Sequence, residues 1–298
     1  MKLIYLTRML AITTLTVIVS FPLIALAQNA RSIMEKVDAG SRAHNNSAFS
    51  VIQISTCKFG IADGKVKCSR KPTVKKLESA SVSIGPEGKD SKSIAIILEP
   101  ASERGIGMLS YIYDSSKKDN ETWLYLSALG KVKRIVASNS SGDSEPVSIF
   151  GSEFTTEDQE TGKLDDYTFK LLETVKFQGR NAYVIEQTPT IERTRKTRYG
   201  RSVVWVDTDR NVVLKAKMYN KREAEIRRII SSGVEKVNGV WMARSTTILN
   251  LVTNRLSNLS IRAIHFGMQI DPELLSKRSL TDTAFRERQL NILRLQAQ

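Results

Sequence analysis

Between residues 49 and 266 the chain is written almost without interruption in short runs of β-branched and aromatic residues, separated by clusters of Gly, Pro, Asp and Ser. Residues 49–57, 79–84, 92–98, 106–113, 167–172, 181–186, 202–207, 212–219, 226–232, 241–249 and 256–266 all read as strands. Gln178-Gly179-Arg180, Thr208-Asp209-Arg210-Asn211 and Asn238-Gly239 read as turns between them. In 212–219, Val212, Leu214, Ala216 and Met218 alternate with Lys215, Lys217 and Tyr219, as in an antiparallel sheet with one solvated face. Roughly ten or eleven meandering strands are expected on this pattern. Helical spacing is confined to residues 29–43, where Ile33, Met34 and Val37 recur and Gly40 ends the run, and to 282–296, with Phe285, Leu290, Leu293 and Leu295. A flat open sheet of this width is unfavourable, and two helices are too few to cover it. The expected fold is therefore mainly β: a curved antiparallel unclosed β-barrel with a helical lid or plug, an N-terminal helix and a C-terminal helix. Segment 145–160 and the first helix would plug its concave side. Whether that side holds an apolar cavity or a solid core stays open at this stage, because Trp123, Trp205, Trp241, Phe150 and Met218 suit either.

The first residues suggest where such a fold works. Lys2 and Arg8 precede an uncharged apolar stretch, 9–24, and Ala25-Leu26-Ala27 supplies a small-x-small cleavage site, so a signal peptide over 1–27 with cleavage before Gln28 is expected. An uncleaved anchor is the rival, since the apolar run approaches the roughly 20 residues needed to span a bilayer; Pro22 and the Ala-Leu-Ala site point to cleavage. Gln28 stands where a lipoprotein would need Cys, so the mature chain is expected to be periplasmic and not lipidated. The body would run over 28–280 and a helical extension over 281–298. The formal charge of +14 is compatible with nucleic acid, anionic lipid or plain solubility. Nucleic acid is the least expected of these, because the aromatics sit singly in apolar strands and do not alternate with Arg.

Cys57 and Cys68 form an isolated pair, read as a disulfide on a hairpin. A four-residue loop, 61–64, would put Cys57 directly opposite Cys68. A two-residue Asp63-Gly64 turn would put Cys57 opposite Arg70 and leave the bond strained or absent.

The inventory for catalysis is thin. His occurs only at His44 and His265, no Gly-x-Ser-x-Gly elbow is present, and Asp165-Asp166 and Glu157-Asp158 read as solvated acids in charged loops. No enzyme, cofactor or metal is expected. Two basic groups could meet lipid head groups or a partner: Lys131, Lys133 and Arg134 beside the lid, and the denser loop 190–201 with Arg193, Arg195, Lys196, Arg198 and Arg201.

Residues 123–135, Trp-Leu-Tyr-Leu-Ser-Ala-Leu-Gly-Lys-Val-Lys-Arg-Ile, followed by Phe150-Gly-Ser-Glu-Phe-Thr-Thr-Glu-Asp158, resemble the hallmark of the outer-membrane lipoprotein-sorting proteins, the LolA-like family. The likeness continues through Val204-Trp-Val-Asp-Thr208 to about residue 280, and departs from the family pattern at Ser127, Phe150, Glu153 and Thr156. It implies an unclosed antiparallel barrel with a helical lid over a hydrophobic cavity, and binding of lipid or lipoprotein acyl chains. Met108, Trp123, Tyr125, Phe150, Phe154, Trp205, Leu214, Met218 and Trp241 are the expected cavity residues, with Lys131, Lys133, Arg134, Arg195 and Arg198 as head-group or partner contacts. The expected function is a monomeric periplasmic carrier or sensor serving lipid or lipoprotein transport to the outer membrane, in transient contact with membrane surfaces and an inner-membrane transporter. The alternative is an interaction module that partners such a transporter or an envelope-stress regulator.

Overall fold

The computed structural model describes residues 23–42, 47–115, 117–135, 147–159 and 163–298; most of the expected leader and His44 lie outside these. Helix α1 (Leu23–Arg42) is followed by strands β1 (Ser47–Ala62), β2 (Lys65–Cys68), β3 (Thr73–Ile84), β4 (Asp90–Glu99), β5 (Gly107–Ile112), β6 (Glu121–Leu126) and β7 (Lys131–Ile135). Then come β8 (Tyr167–Phe177), β9 (Arg180–Pro189), the single turn α2 (Ile191–Thr194), β10 (Tyr199–Asp207), β11 (Val213–Asn220), β12 (Glu225–Val237), β13 (Val240–Asn250) and β14 (Arg255–Phe266). Two helices, α3 (Arg278–Thr281) and α4 (Thr283–Gln296), close the chain.

The strands form one antiparallel sheet of 14, in the order β7-β6-β5-β4-β3-β1-β14-β13-β12-β11-β10-β9-β8, with β2 paired to β1 alone. This exceeds the ten or eleven expected, because short polar strands such as the fully exposed Lys-Val-Lys-Cys of β2 carry little apolar signal. β7 and β8 are the two unpaired edges, so the curved sheet does not close. β1 joins its halves by pairing both β3 and β14.

The Cys57–Cys68 bond is present, but in the register that was expected to strain or exclude it. Asp63 and Gly64 form a two-residue turn with φ of 53° and 69°, Ala62 faces Lys65, and Cys68 lies opposite Phe59. Cys57 therefore meets Cys68 along a diagonal of the ribbon. Because the side-chain period is two, both stand on one face, and their Cα atoms are 5.8 Å apart, inside disulfide range.

The two halves of the sheet are covered differently. Ala30, Ile33 and Met34 of α1 pack on the inner face of β8 to β11, against Phe169, Ile185, Val204, Val206 and Ala216. On the outer face of this half, Lys215 sits over the rings of Trp205 and Phe177 in water-facing ladders. The other half is buried on both faces. Its outer side, with Phe49, Ala80, Ile94, Ile96, Leu109 and Trp123, is sealed by Leu274, Leu275, Leu280, Leu290 and Leu293 from the C-terminal segment. Asp282 caps α4 by accepting from Phe285 N–H (2.9 Å), and Arg294 grips the buried Glu78 of β3 with two hydrogen bonds (2.8 and 2.6 Å). Gly107 permits this close approach, since a Cβ there would fall 2.7 Å from Ile96 Cδ1 and 3.1 Å from Leu280 Cδ2.

Leu290 is fully buried in that seal, so Leu290→Ala should lower unfolding free energy by about 2–5 kcal/mol in denaturant melts. Asp207 predicts an acid limb. Burial alone would raise its pKa, but hydrogen bonds from Arg180, Arg210 and the N–H groups of Arg210 and Asp209 override it and hold the carboxyl at about 2, against the ordinary 3.8. A carboxylate depressed on folding stabilises the fold above its unfolded pKa, here by about 2 kcal/mol. That contribution should drain away as pH falls from 3.8 through about 2, measured as a narrowing gap between wild type and Asp207→Asn.

Candidate functional site

Residues 147–159, between β7 and β8 in the chain, form a small hairpin on the inner face, the lid. Ser148 bridges Thr155, Ile149 N–H donates to Phe154 O (2.7 Å), and Thr156 N–H donates to Val147 O (2.9 Å). At the tip Phe150 and Gly151 have φ of 51° and 72°, the paired left-handed geometry of a two-residue turn. A phenylalanine adopts this conformation at a cost, and its surroundings hold it there. Lys75 Nζ donates to Phe150 O (2.7 Å), Ser152 N–H donates to Ile149 O (3.0 Å), and the buried ring of Phe150 enters a cluster with Ile54, Leu77, Ile97 and Met108. Leu124 and Leu259 lie at the margin of this apolar floor.

Beyond Ile149 and Phe150 the lid is fastened by polar contacts. Arg227 of β12, 2% exposed, donates to Asp158 Oδ2 (2.5 Å), to Glu153 O (2.7 Å) and to the Tyr199 hydroxyl (2.9 Å). Burial opposes its charge, but Asp158 and Tyr199 outweigh that and raise its pKa; burial likewise raises that of Tyr199. Asp158 also accepts from Thr155 N–H and Oγ1. Glu153 pairs with Arg255 (3.0 Å) and accepts from Asn250 Nδ2 (2.9 Å), while its N–H donates to Ser257 Oγ (2.9 Å). Glu157 accepts from Arg193 (3.2 Å) and from Thr197 Oγ1 (2.5 Å).

These contacts correct two expectations. Glu157 and Asp158 are fasteners of the lid rather than solvated acids, because each faces a buried guanidinium. The basic loop does not present a uniform positive surface: Arg193 is buried on Glu157, Lys196 pairs with Asp119 (3.3 Å), and Arg201 pairs with Glu186 and Glu223. Of the expected head-group contacts, Arg195 is exposed, Arg198 lies 5.3 Å over the Tyr199 ring, Lys131 and Lys133 are exposed on the edge strand β7, and Arg134 pairs with Glu121. Arg227, Arg255, Lys75 and Ser257 were not singled out from sequence. Arg227 left a signal: it shares the inward face with Ile229 and Ser231 in a strand read as apolar.

The expected cavity residues do not share one wall. Met108 and Phe150 meet on the inner face, Phe154 is buried in the lid, and Leu214 and Met218 share the face of Ala216. Trp123 and Tyr125 lie on the outer face, stepped by one residue from Leu124 and covered by the C-terminal segment, with the Tyr111 and Trp123 rings edge to face at 5.0 Å. Trp205 is on the outer face beside Lys215, and Trp241, 37% exposed, lies near Arg210. A cleft of about 840 Å³ opens elsewhere, beside α1, and it is polar, lined by Arg31, Glu35, Asp38 and Arg42 with Asp114 and Asp165. Among the described residues no group of three His, Cys, Asp or Glu could hold a metal ion. His265 stands on β14 opposite Phe49.

Removing Asp158 would leave the Arg227 charge buried, so Asp158→Ala should cost about 3–5 kcal/mol in urea melts. Adding Arg227→Met should recover part of that loss, whereas simple additivity of the two changes would show that the pair is not coupled.

No curated protein matches the chain in sequence. Its structure is similar to that of a DUF1329 family protein from Desulfovibrio piger (21% identity, TM-score 0.73), covering 86% of this chain and 99% of that one. An outer-membrane lipoprotein-sorting protein domain from Vibrio parahaemolyticus is similar at 23% identity and TM-score 0.72, over 86% and 99% of the two chains. A LolA superfamily protein from Nitrosomonas europaea follows at 20% identity and TM-score 0.58, over 83% and 97%. Residues 89–282 match a family model described as an uncharacterized protein. The chain belongs to that protein family, and its incompletely closed sheet has the LolA-like fold.

Proposed function

We propose that this protein is a non-enzymatic binder of hydrocarbon chains that works in the periplasm, receiving lipid or lipoprotein acyl groups between the lid and the inner face of β1 and β3 to β6. One observation carries the reading. The floor formed by Ile54, Leu77, Ile97 and Met108 is apolar, yet only two apolar side chains of the lid, Ile149 and Phe150, join it; Phe154 is buried apart from the floor, and the lid is otherwise fastened by hydrogen bonds and ion pairs. A lid built this way lifts by exchanging hydrogen bonds with water, and acyl methylenes can replace the two side chains it withdraws. Each buried CH2 contributes on the order of 0.8 kcal/mol, so a few suffice to offset that loss. The lid as described sits down on the floor, and the ligand-bound state is accordingly one with the lid raised.

The disulfide fits an oxidising compartment, and no helix among the described residues is long and apolar enough to cross a membrane. The Vibrio domain of the same fold is described as an outer-membrane lipoprotein-sorting protein, and cargo delivery to the outer membrane, after hand-over from an inner-membrane transporter, is the role this reading extends to the present chain. Docking through open sheet edges is less favoured, since the edge strand β7 carries Lys131, Lys133 and Arg134, charges that oppose strand addition.

Native mass spectrometry of gently purified protein should reveal acyl-bearing adducts, and a fluorescent fatty acid should bind the delipidated protein. Leu124→Asp, at the partly buried margin of the floor, should weaken that binding about tenfold, the equivalent of losing roughly two buried methylenes. Absence of both adducts and probe binding in the wild type would refute the reading.

A further inference from the structure

The β1–β2 ribbon projects past its neighbours in the sheet. β3 begins only at Thr73 and β14 at Arg255, so residues 60–71 pair with nothing outside the ribbon, and every one of them is exposed. A free two-stranded ribbon is marginal in water, and this one is stapled at its foot by Cys57–Cys68 and bonded there from Phe59 N–H to Asn254 O (2.8 Å). Its register sorts the side chains. Phe59, opposite Cys68, and Ile61, opposite Val66, stand on one face; Gly60 faces Lys67 and Ala62 faces Lys65 on the other. Ile61 is 76% exposed and Val66 45%, and neither is covered by another element. Lys58, Lys65 and Lys67 stand on the opposite face, so the ribbon is amphipathic, and Arg70 and Lys71 follow at its foot, against the single acid Asp63. Among the described residues only Lys67 of these five has an ion-pair partner, Asp63 at 3.0 Å.

We infer that this stapled ribbon is a membrane-docking finger that lies in the interface of an anionic lipid surface, with Phe59, Ile61 and Val66 turned into the acyl boundary and its lysines and arginine meeting lipid phosphate. Charge complementarity selects this occupant. The apolar face is too narrow for a stable protein interface, while unpaired cations on flexible stems beside a small apolar tip match the way basic amphipathic elements hold to anionic bilayers. The nearby turn between β13 and β14 adds Val252, 70% exposed, at the foot of the finger. The foot of the ribbon lies beside the lid, since Arg255, opposite Lys58, donates to Gly151 O (3.1 Å), but the inference rests on the ribbon's own exposed side chains and is independent of what the inner face binds.

Co-sedimentation of the full chain with vesicles tests it. Binding to phosphatidylcholine vesicles containing phosphatidylglycerol is expected, with little binding to pure phosphatidylcholine and a steep loss as salt rises. Ile61→Ser with Val66→Ser should weaken binding about tenfold, and each of Lys65→Gln and Lys71→Gln about fivefold. All are exposed, so thermal melts should be unchanged, and Lys176→Gln with Lys236→Gln, exposed on the β8–β9 and β12–β13 hairpins, should bind as wild type. Equal partition of the wild type to both vesicle types overturns the inference, as does full binding by the ribbon variants. Crosslinking of the ribbon to a protein in cells, without any vesicle binding, overturns it too.

Discussion

The edges β7 and β8 never pair, and most of the molecule's architecture answers that one constraint. A closed barrel hides its inner face by geometry; an open one needs other parts of the chain to do so. Here α1 covers the β8 to β11 half and the lid covers the β3 to β6 half. Residues 147–159, which lie between the two edge strands in the chain, supply that second cover, which is why a stretch without a catalytic group carries the candidate site.

The two covers are held by different forces. α1 lies on the sheet through Ala30, Ile33 and Met34, with ion pairs such as Arg42 to Asp114 at its end, and it behaves as core. The lid rests on Phe150 and on buried pairs led by Arg227 and Asp158. A buried pair contributes little net stability, since desolvation offsets its attraction, but it specifies position sharply. The lid is thus placed accurately without being bound as strongly as a core strand.

The β pattern was legible because period-two alternation survives in most strands: Leu214 and Ala216 face inward and Lys215 and Lys217 outward, as their order implies. The helix over 282–296 was legible from the spacing of Phe285, Leu290 and Leu293. Which face of the sheet a residue serves was harder to read. Trp123 and Met108 are both apolar and buried, and only the docking of Leu280, Leu290 and Leu293 on the outside separates them. The polar fastenings were least visible, because Arg227 meets Asp158 across a long separation in sequence, and charge alone reads as a solvated surface. The ribbon shows the same limit at short range. The diagonal contact that joins Cys57 to Cys68 depends on the twist of two strands rather than on residue count.

The outer seal also bears on the order of folding. Phe49 near the start of the sheet is completed by Leu293 near the end of the chain, and β1 cannot gain its second neighbour until β14 exists. Contacts so distant along the polypeptide make for slow assembly. Until the last helix docks, the aromatic flank around Trp123 and Tyr111 stays wet, an adhesive surface of the kind that makes incompletely folded chains prone to aggregate.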